Sequence, residues 1–519
     1  MKRLHVYILS AVLGTVMVST SCSDQLDQVN PNAQTESTFW KTQSDFDKAL
    51  VACYSPLKEG INGGYYGTRG VMMRIARADE VEFRNDISDI FSACYFTNSN
   101  GNAVAQSIFY QFYSGIFRCN SVLQHIEDAS QGLLSDDFSK EARGEASFLR
   151  ALYLFNLGKE FKDAPLRLKA SENSADFPLA KSSQKEIWDQ AISDLETAVS
   201  CLPVKAIALG KPSKGAAYAL MGKIYLYEKE YDKAIDVLEP LTKSPYSYSL
   251  CQDFRWNVDE AHEFNSESIF EAPMEDVGGT NVWSNGETNN TSQTTSRAME
   301  YAASVVGGWF EAQPTKQIMD IMTQEKDKNG NYDYRARVSV AWDYEGCMYY
   351  KEPFRQKFPQ SQWGTYWILR YENWDKDVNE DASCKSSINE RVLRYDGVIL
   401  NLAECYLFST AHKDLQKAVS YINMIRERAN LHDYNGSMTE ADIFRDLEHQ
   451  RAIEFFVDGE RFYDLRRWGL LDERIKTCNA VRYKQLETGK VDNTNKYYYL
   501  PTPSAELETN QLCTPSEGW

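Results

Sequence analysis

Two stretches of the chain carry the residue types that grip a polyhydroxylated ligand. The first, RIARADEVEFRNDISDIFSACYFTNSNGN, offers Arg84, Asn85, Asp86, Tyr95, Phe96 and Asn98; the second, GGTNVWSNGETNNTSQTTS, offers Trp283, Asn285, Asn289 and Asn290. A sugar has a C–H face that packs on an aromatic ring and a rim of hydroxyls that exchange hydrogen bonds with amides, carboxylates and guanidinium groups. Each contact is weak, so several must converge, and loops are where such groups are displayed. A plainer role competes for each residue: Tyr95 and Phe96 anchor their own loop, and Asn285 and Asn289 serve turn chemistry.

Other chemistries find less support. No nucleophile elbow, Walker loop or dinucleotide fingerprint occurs. The six histidines, His5, His125, His262, His412, His432 and His449, lack any metal-ligand spacing, and no CxxC pair exists. With 74 acidic residues, chance carboxylate pairs are guaranteed and do not argue for a glycosidase. Neither catalysis, nor a metal, nor another cofactor is expected. The run Glu454, Asp458, Glu460, Arg461, Asp464, Arg466 and Arg467 alternates in sign at helical spacing, the pattern of ion pairs that fix a junction between elements.

A formal charge of −18 leaves no positive field to displace counterions from phosphates, which argues against nucleic acid. At the N-terminus, Lys2 and Arg3 precede an apolar stretch from Val6 to Val18, too short to span a bilayer, and then the small residues Ser19, Thr20 and Ser21 before Cys22. This reads as a signal peptide over 1–21 and lipidation of Cys22. Residues 22–38 are polar apart from Leu26, Val29 and Ala33, a composition that makes a tether and leaves 39–519 as the folded body. The other ten cysteines are irregularly spaced, several of them in apolar helical context, and read as small buried hydrophobes without disulfides.

The body is read as mainly α, a tetratricopeptide-like superhelix of helix pairs with an irregular, loop-rich subdomain packed on it. In GAAYALMGKIYLYEKEYDKAIDVLEPL two apolar stripes flank a short charged break, with Ser213 as a cap and Gly222 as the small residue that lets a partner helix approach. Pairs are expected over about 141–203, 213–241 and 396–430, the first containing a capping box at Ser183 and Glu186. Residues 46–54 and 108–126 are candidates for a fourth pair. From about 245 to 390 periodicity fades and Gly, Asn, Thr and Trp accumulate. Trp283, Trp309, Trp342, Trp363, Trp367 and Trp374 are too many rings for a linker; they mark a folded subdomain and a ring-bearing face for a guest.

Six fragments in order resemble the SusD/RagB-like outer-membrane lipoproteins of Bacteroidetes. They are SCSDQLDQVNPNAQTESTFWKTQSDFDKAL, GEASFLRALYLFNLGKEFKDAPL, DLETAVSCLP, LNLAECYLF with INMIRERANL, EHQRAIEFFVDGERFYDLRRWG, and YYYLPTPSAELETNQ. One departure is the ending TPSEGW, where the family usually carries an Asn-Pro-Gly-like run. The resemblance implies four tetratricopeptide-like units with loops across one side, a cell-surface site for an oligosaccharide, and a SusC-like TonB-dependent transporter as partner. Some relatives resemble peptide binders, and a purely protein-interacting module is a further alternative. Replacing Cys22 with Ala is expected to move the protein from the membrane to the soluble fraction, since the polar tether offers no other hold; full retention in the membrane would contradict lipidation there.

Overall fold

The apolar stripes become helices whose starts are set by side-chain caps. The computed structural model describes residues 39–58, 61–170, 176–275, 294–374, 380, 384–492 and 494–519, with backbone only for 61–63. Residues 1–46 and 47–519 form two units. In the first, Trp40 makes edge contacts with Phe39 and Phe46 at ring separations of 5.0 and 4.9 Å; Cys22 lies outside the described residues.

The second unit is built on helices α1 (Ala103–Asp128), α2 (Asp136–Phe161), α3 (Gln184–Cys201), α4 (Lys214–Tyr227), α5 (Tyr231–Leu238), α6 (Tyr395–Phe408), α7 (Leu415–Arg428) and α8 (Glu440–Glu454). Ser183 and Glu186 close the capping box on α3, and Ser213 Oγ accepts from the Ala216 amide at 3.2 Å at the start of α4. Consecutive helices pack on one another from α1 to α5, α6 packs on both α5 and α7, and α8 covers α6 and α7. The three expected pairs are therefore α2–α3, α4–α5 and α6–α7. The fourth differs: the main helical partner of 103–128 is α2, not 46–54, because Gly115 leaves room for the Tyr153 ring, which an added Cβ would meet at 2.4 Å. Residues 47–54 still touch this pair, through Arg118 donating to the Ala52 carbonyl at 3.1 Å and Tyr153 donating to that of Cys53 at 2.8 Å.

The region from 245 to 390 has short strands and its own core. Four strands, two of them within this region, matter for the site or the junctions: β1 (Val81–Phe83) pairs antiparallel with β3 (Ala312–Pro314), and β2 (Ser268–Ala272) with β4 (Glu390–Arg394). The tryptophans chiefly seal this subdomain. Trp342 and Trp367 are buried, the latter stacked on Phe358 at 5.2 Å, while Trp363 and Trp374 pack against the same cluster of Tyr349, Phe354 and Phe358 and are capped outside by Arg355 and Arg255. The expectation of a ring-bearing face is corrected for Trp342, Trp363, Trp367 and Trp374: the first is buried, and the other three pack with Ala302, Val306, Ala341 and Leu369 to exclude water from this region's own core. Trp283 lies outside the described residues. Eight of the ten described cysteines are buried.

Buried ion pairs cross-brace the stack and the subdomain. Glu160 of α2 takes Arg77 Nη2 at 2.6 Å, the Tyr65 hydroxyl at 2.6 Å and the Tyr463 hydroxyl. Glu390 of β4 bridges Arg74 and Arg297, each at 2.8 Å. Asp458 accepts from Arg370, Arg394 and Tyr371 at 2.7, 2.9 and 2.7 Å, and Arg461 holds Asp79 through two bonds of 2.9 Å. The alternating run 454–467 is thus the ion-pair junction that its spacing predicts, with Glu460 on Lys223, Arg451 on Asp464, and Arg467 on Glu404. Once such charges are desolvated, removing one partner strands the other, at a typical cost of about 3–5 kcal/mol.

Two outcomes are expected. An Ala at Gly222 would place its Cβ 2.3 Å from Leu238 Cγ, forcing α4 and α5 apart; the cost should be about 1–3 kcal/mol by denaturant titration, and an unchanged midpoint would contradict this packing. Burial raises the Glu160 pKa, but Arg77, Lys159 and the two tyrosine hydroxyls overcome it and hold the group at about 2, below its ordinary 4.5. Its contribution to stability is therefore present above pH 4.5 and lost as pH falls towards 2. Melting temperature should drop across that window, and less steeply in Glu160→Gln; equal slopes would refute the assignment.

Candidate functional site

The β1–β3 pairing carries the first candidate segment against a tight turn of the subdomain. Val81, Glu82 and Phe83 face Pro314, Gln313 and Ala312, so the residues after β1 meet those before β3. The Arg84 amide donates to the Glu311 carbonyl at 3.0 Å, and its Nη1 donates to the Trp309 carbonyl at 2.6 Å. The guanidinium lies 4.1 Å from the centre of the Phe310 ring and pairs with Asp86. Arg84 and Asp86 keep 39% and 54% of their side-chain surface open, and Asn85 beside them is exposed.

The turn that brings Trp309 here is specified by two glycines. Gly307 has φ of 87°, and a Cβ on Gly308 would collide with the Ala302 carbonyl oxygen at 2.0 Å. Trp309 then donates its amide to the Met299 carbonyl at 2.9 Å and rests half-buried on Met299 and Cys384. Beneath the ledge, Glu311 is 7% exposed and its Oε2 has no hydrogen-bond partner among the described residues. Burial first, and Asp86 second, push its carboxyl up to about 7 against the pull of Arg84. The result is one strand junction that carries a half-buried indole, a phenyl ring under a guanidinium, an exposed amide and a carboxylate.

The structure brings together Arg84, Asn85 and Asp86 from the sequence-derived set, and separates the rest of that segment from them. Phe96 is corrected outright: at 1% exposure and φ of 54° it turns inward to pack with Phe462, Tyr463 and Tyr497, so it offers no face to a ligand. Asn98 is 9% exposed. Tyr95 is half-buried, stacked on Phe91 at 4.4 Å, with Glu82 and Asn479 as its electrostatic neighbours rather than the Arg84 ledge. Trp283, Asn285, Asn289 and Asn290 lie outside the described residues, whose chain resumes at Thr294 with Ser296 bonded to Thr68 at 2.9 Å. Sequence reasoning missed Phe310 and Glu311 and placed Trp309 only among the rings of a general ring-bearing face. The available signal was GGWF, a glycine turn delivering two adjacent rings.

One acidic cluster invites comparison with a metal centre. Glu267, Asp396 and Glu454 bring carboxylate oxygens within 4.8 Å of one another. Arg428 already bridges Glu267 and Glu454, while Arg335 and Arg394 pair with Glu454 and Asp396. The positive charge that a cation would supply is present as guanidinium, so the donor set fits a metal poorly.

Comparisons with known proteins agree with this architecture. A model described as the SusD family matches residues 266–519, and one described as starch-binding associating with outer membrane matches 24–226. A SusD superfamily protein from Bacteroides vulgatus has 57% identity, covering 93% of this chain and all of that one, with a TM-score of 0.85. SusD-like protein P2 of Formosa agariphila is 24% identical over 99% of both chains. Surface glycan-binding protein A from Bacteroides thetaiotaomicron, in complex with laminarihexaose, shares the fold at a TM-score of 0.73 and 20% identity, covering 92% of this chain and all of that one. From 57% identity across a whole solved relative, together with the helix stack and its loop-rich partner, the chain belongs to the SusD/RagB-like family of Bacteroidetes outer-membrane nutrient-binding proteins.

Proposed function

We propose that this protein is a lipid-anchored surface protein of the outer membrane that captures an oligosaccharide, leaves it chemically unchanged, and passes it to a SusC-like TonB-dependent transporter. The observation that carries the reading is the ledge: a half-exposed Trp309 beside Arg84, Asn85 and Asp86, held on a rigid scaffold. An indole face and a rim of directional polar groups match the two surfaces of a sugar ring. The fold shared with a glycan-binding protein seen in complex with laminarihexaose supports the ligand class. Trp283, Asn285 and Asn289 join the proposal on their chemistry, a ring and two amides within one short segment.

Calorimetric titration of the purified protein against a panel of neutral oligosaccharides tests it. At least one is expected to bind and to be recovered intact, with affinity falling about tenfold in Trp309→Ala and in Arg84→Ala, the loss of one ring contact or one charge-assisted hydrogen bond. Binding of peptides and of no saccharide would transfer the function to peptide capture; a cleaved oligosaccharide would make the protein an enzyme.

A further inference from the structure

A hollow lined by polar side chains and apolar surface opens beyond β3, sharing no residue with the Arg84 ledge. It lies between the helix Lys316–Met322 with the residues after it, the 434–437 loop, α8 and the helix Leu471–Cys478, and has a volume of about 810 Å³. That size is in the range of small-molecule sites, roughly 300–1,000 Å³. Its carboxylates are each matched by a cation: Asp320 by Lys316, Glu325 and Asp446 by Arg426, Asp442 by Arg445, and Glu448 by Arg474. A charged ligand would have to compete with one of these pairs, whereas a neutral one leaves them intact.

Two buried polar atoms of residues lining this hollow have no hydrogen-bond partner among the described residues: Asp446 Oδ2 and His449 Nε2. The two residues stand three apart on α8 and so share a helix face. Glu325 Oε2, at 4.0 Å from His449 Nε2, is too far for a hydrogen bond. Burial, the largest effect, lowers the His449 pKa to about 4, so at neutral pH its ring is uncharged. Asp446 as a carboxylate only accepts, while the neutral ring can present an N–H. With the ring proton on Nε2, a carboxylate would serve only the ring, whereas a hydroxyl donates to the Asp446 carboxylate and accepts from the ring and so serves both. Tyr434 lines the same hollow, its amide donating to Asn423 Oδ1 and its hydroxyl to the Ser437 carbonyl, both at 2.8 Å, which leaves the ring as an oriented apolar wall.

We propose that this cleft is a second binding site, for a neutral saccharide of one to a few rings, in which one hydroxyl bridges Asp446 Oδ2 and His449 Nε2 and a C–H face packs on Tyr434. A site of this kind holds a ligand with two contact points on the body of the protein in place of one.

Crystals of the full chain soaked in parallel with glucose, galactose, mannose, xylose and N-acetylglucosamine test it, with calorimetry on whichever sugar is seen. The expected result is one pyranose in the cleft with a hydroxyl in hydrogen-bond reach of both atoms. Its affinity should fall about tenfold in Asp446→Asn and in Tyr434→Ala. Because Asp446 also holds Arg426, the rim variant Tyr434→Ala decides if the other does not fold. Water alone in every soak, or a sugar whose affinity neither variant alters, meaning binding at crystal concentration only, would overturn the proposal. Either failure would leave the Arg84 ledge untouched.

Discussion

Desolvated charge is the constraint on which the rest of this structure depends. Arg77, Arg297, Arg335, Arg370 and Arg482 are among the largest fully buried side chains, and each is tied to carboxylates or to backbone carbonyls on distant parts of the chain. An apolar core tolerates small slips between layers. A guanidinium that must meet two acceptors within about 3 Å does not, because a missed bond leaves a charge in a medium that cannot solvate it. Such pairs join residues some 80 to 400 positions apart, as in Arg77 to Glu160 and Arg482 to Ala76. They convert a stack of helices and a patchwork of two-stranded sheets into one body.

That rigidity has a use. The ledge is assembled from only a few residues on either side of the three-residue β1–β3 pairing, which alone could not hold an indole and a guanidinium in register. The supports lie one step away: Arg461 on Asp79, Glu80 Oε2 accepting from the Val457 amide at 3.1 Å, and Arg69 on Glu300. These clamp the roots of both strands to the helical body. Weak contacts with a neutral guest are favourable only when the groups that make them need not be ordered at the moment of binding, and a braced scaffold meets that condition.

The helices were legible because their signals are local. The Ser183 capping box, the Ser213 cap and the Gly222 contact can each be read within a few residues and each appears as expected. The charged run at 454–467 was legible as structural for the same reason, although its partners, such as Asp79 and Lys223, were not. What failed was whatever depends on long-range pairing. Which helix accompanies 103–128 turns on Gly115 meeting Tyr153, and the inward turn of Phe96 on a left-handed backbone and a pocket built from 462–497. The tryptophans misled in a different way. Rings suit both a sugar face and a water-tight seal, and only the packing around Trp367 distinguishes the two. Trp309, delivered by a glycine turn to the edge of the core, is the described tryptophan that joins the ledge.

Hydrogen–deuterium exchange with and without a bound oligosaccharide is the most direct measurement of whether a preformed ledge, held still by buried charge, receives the guest. The account predicts slowed exchange at residues 84–86 and 307–311, with amides of α1 to α7 unchanged, because nothing in the stack needs to move or tighten. Protection spreading through those helices, or bypassing 84–86 and 307–311 altogether, would contradict it.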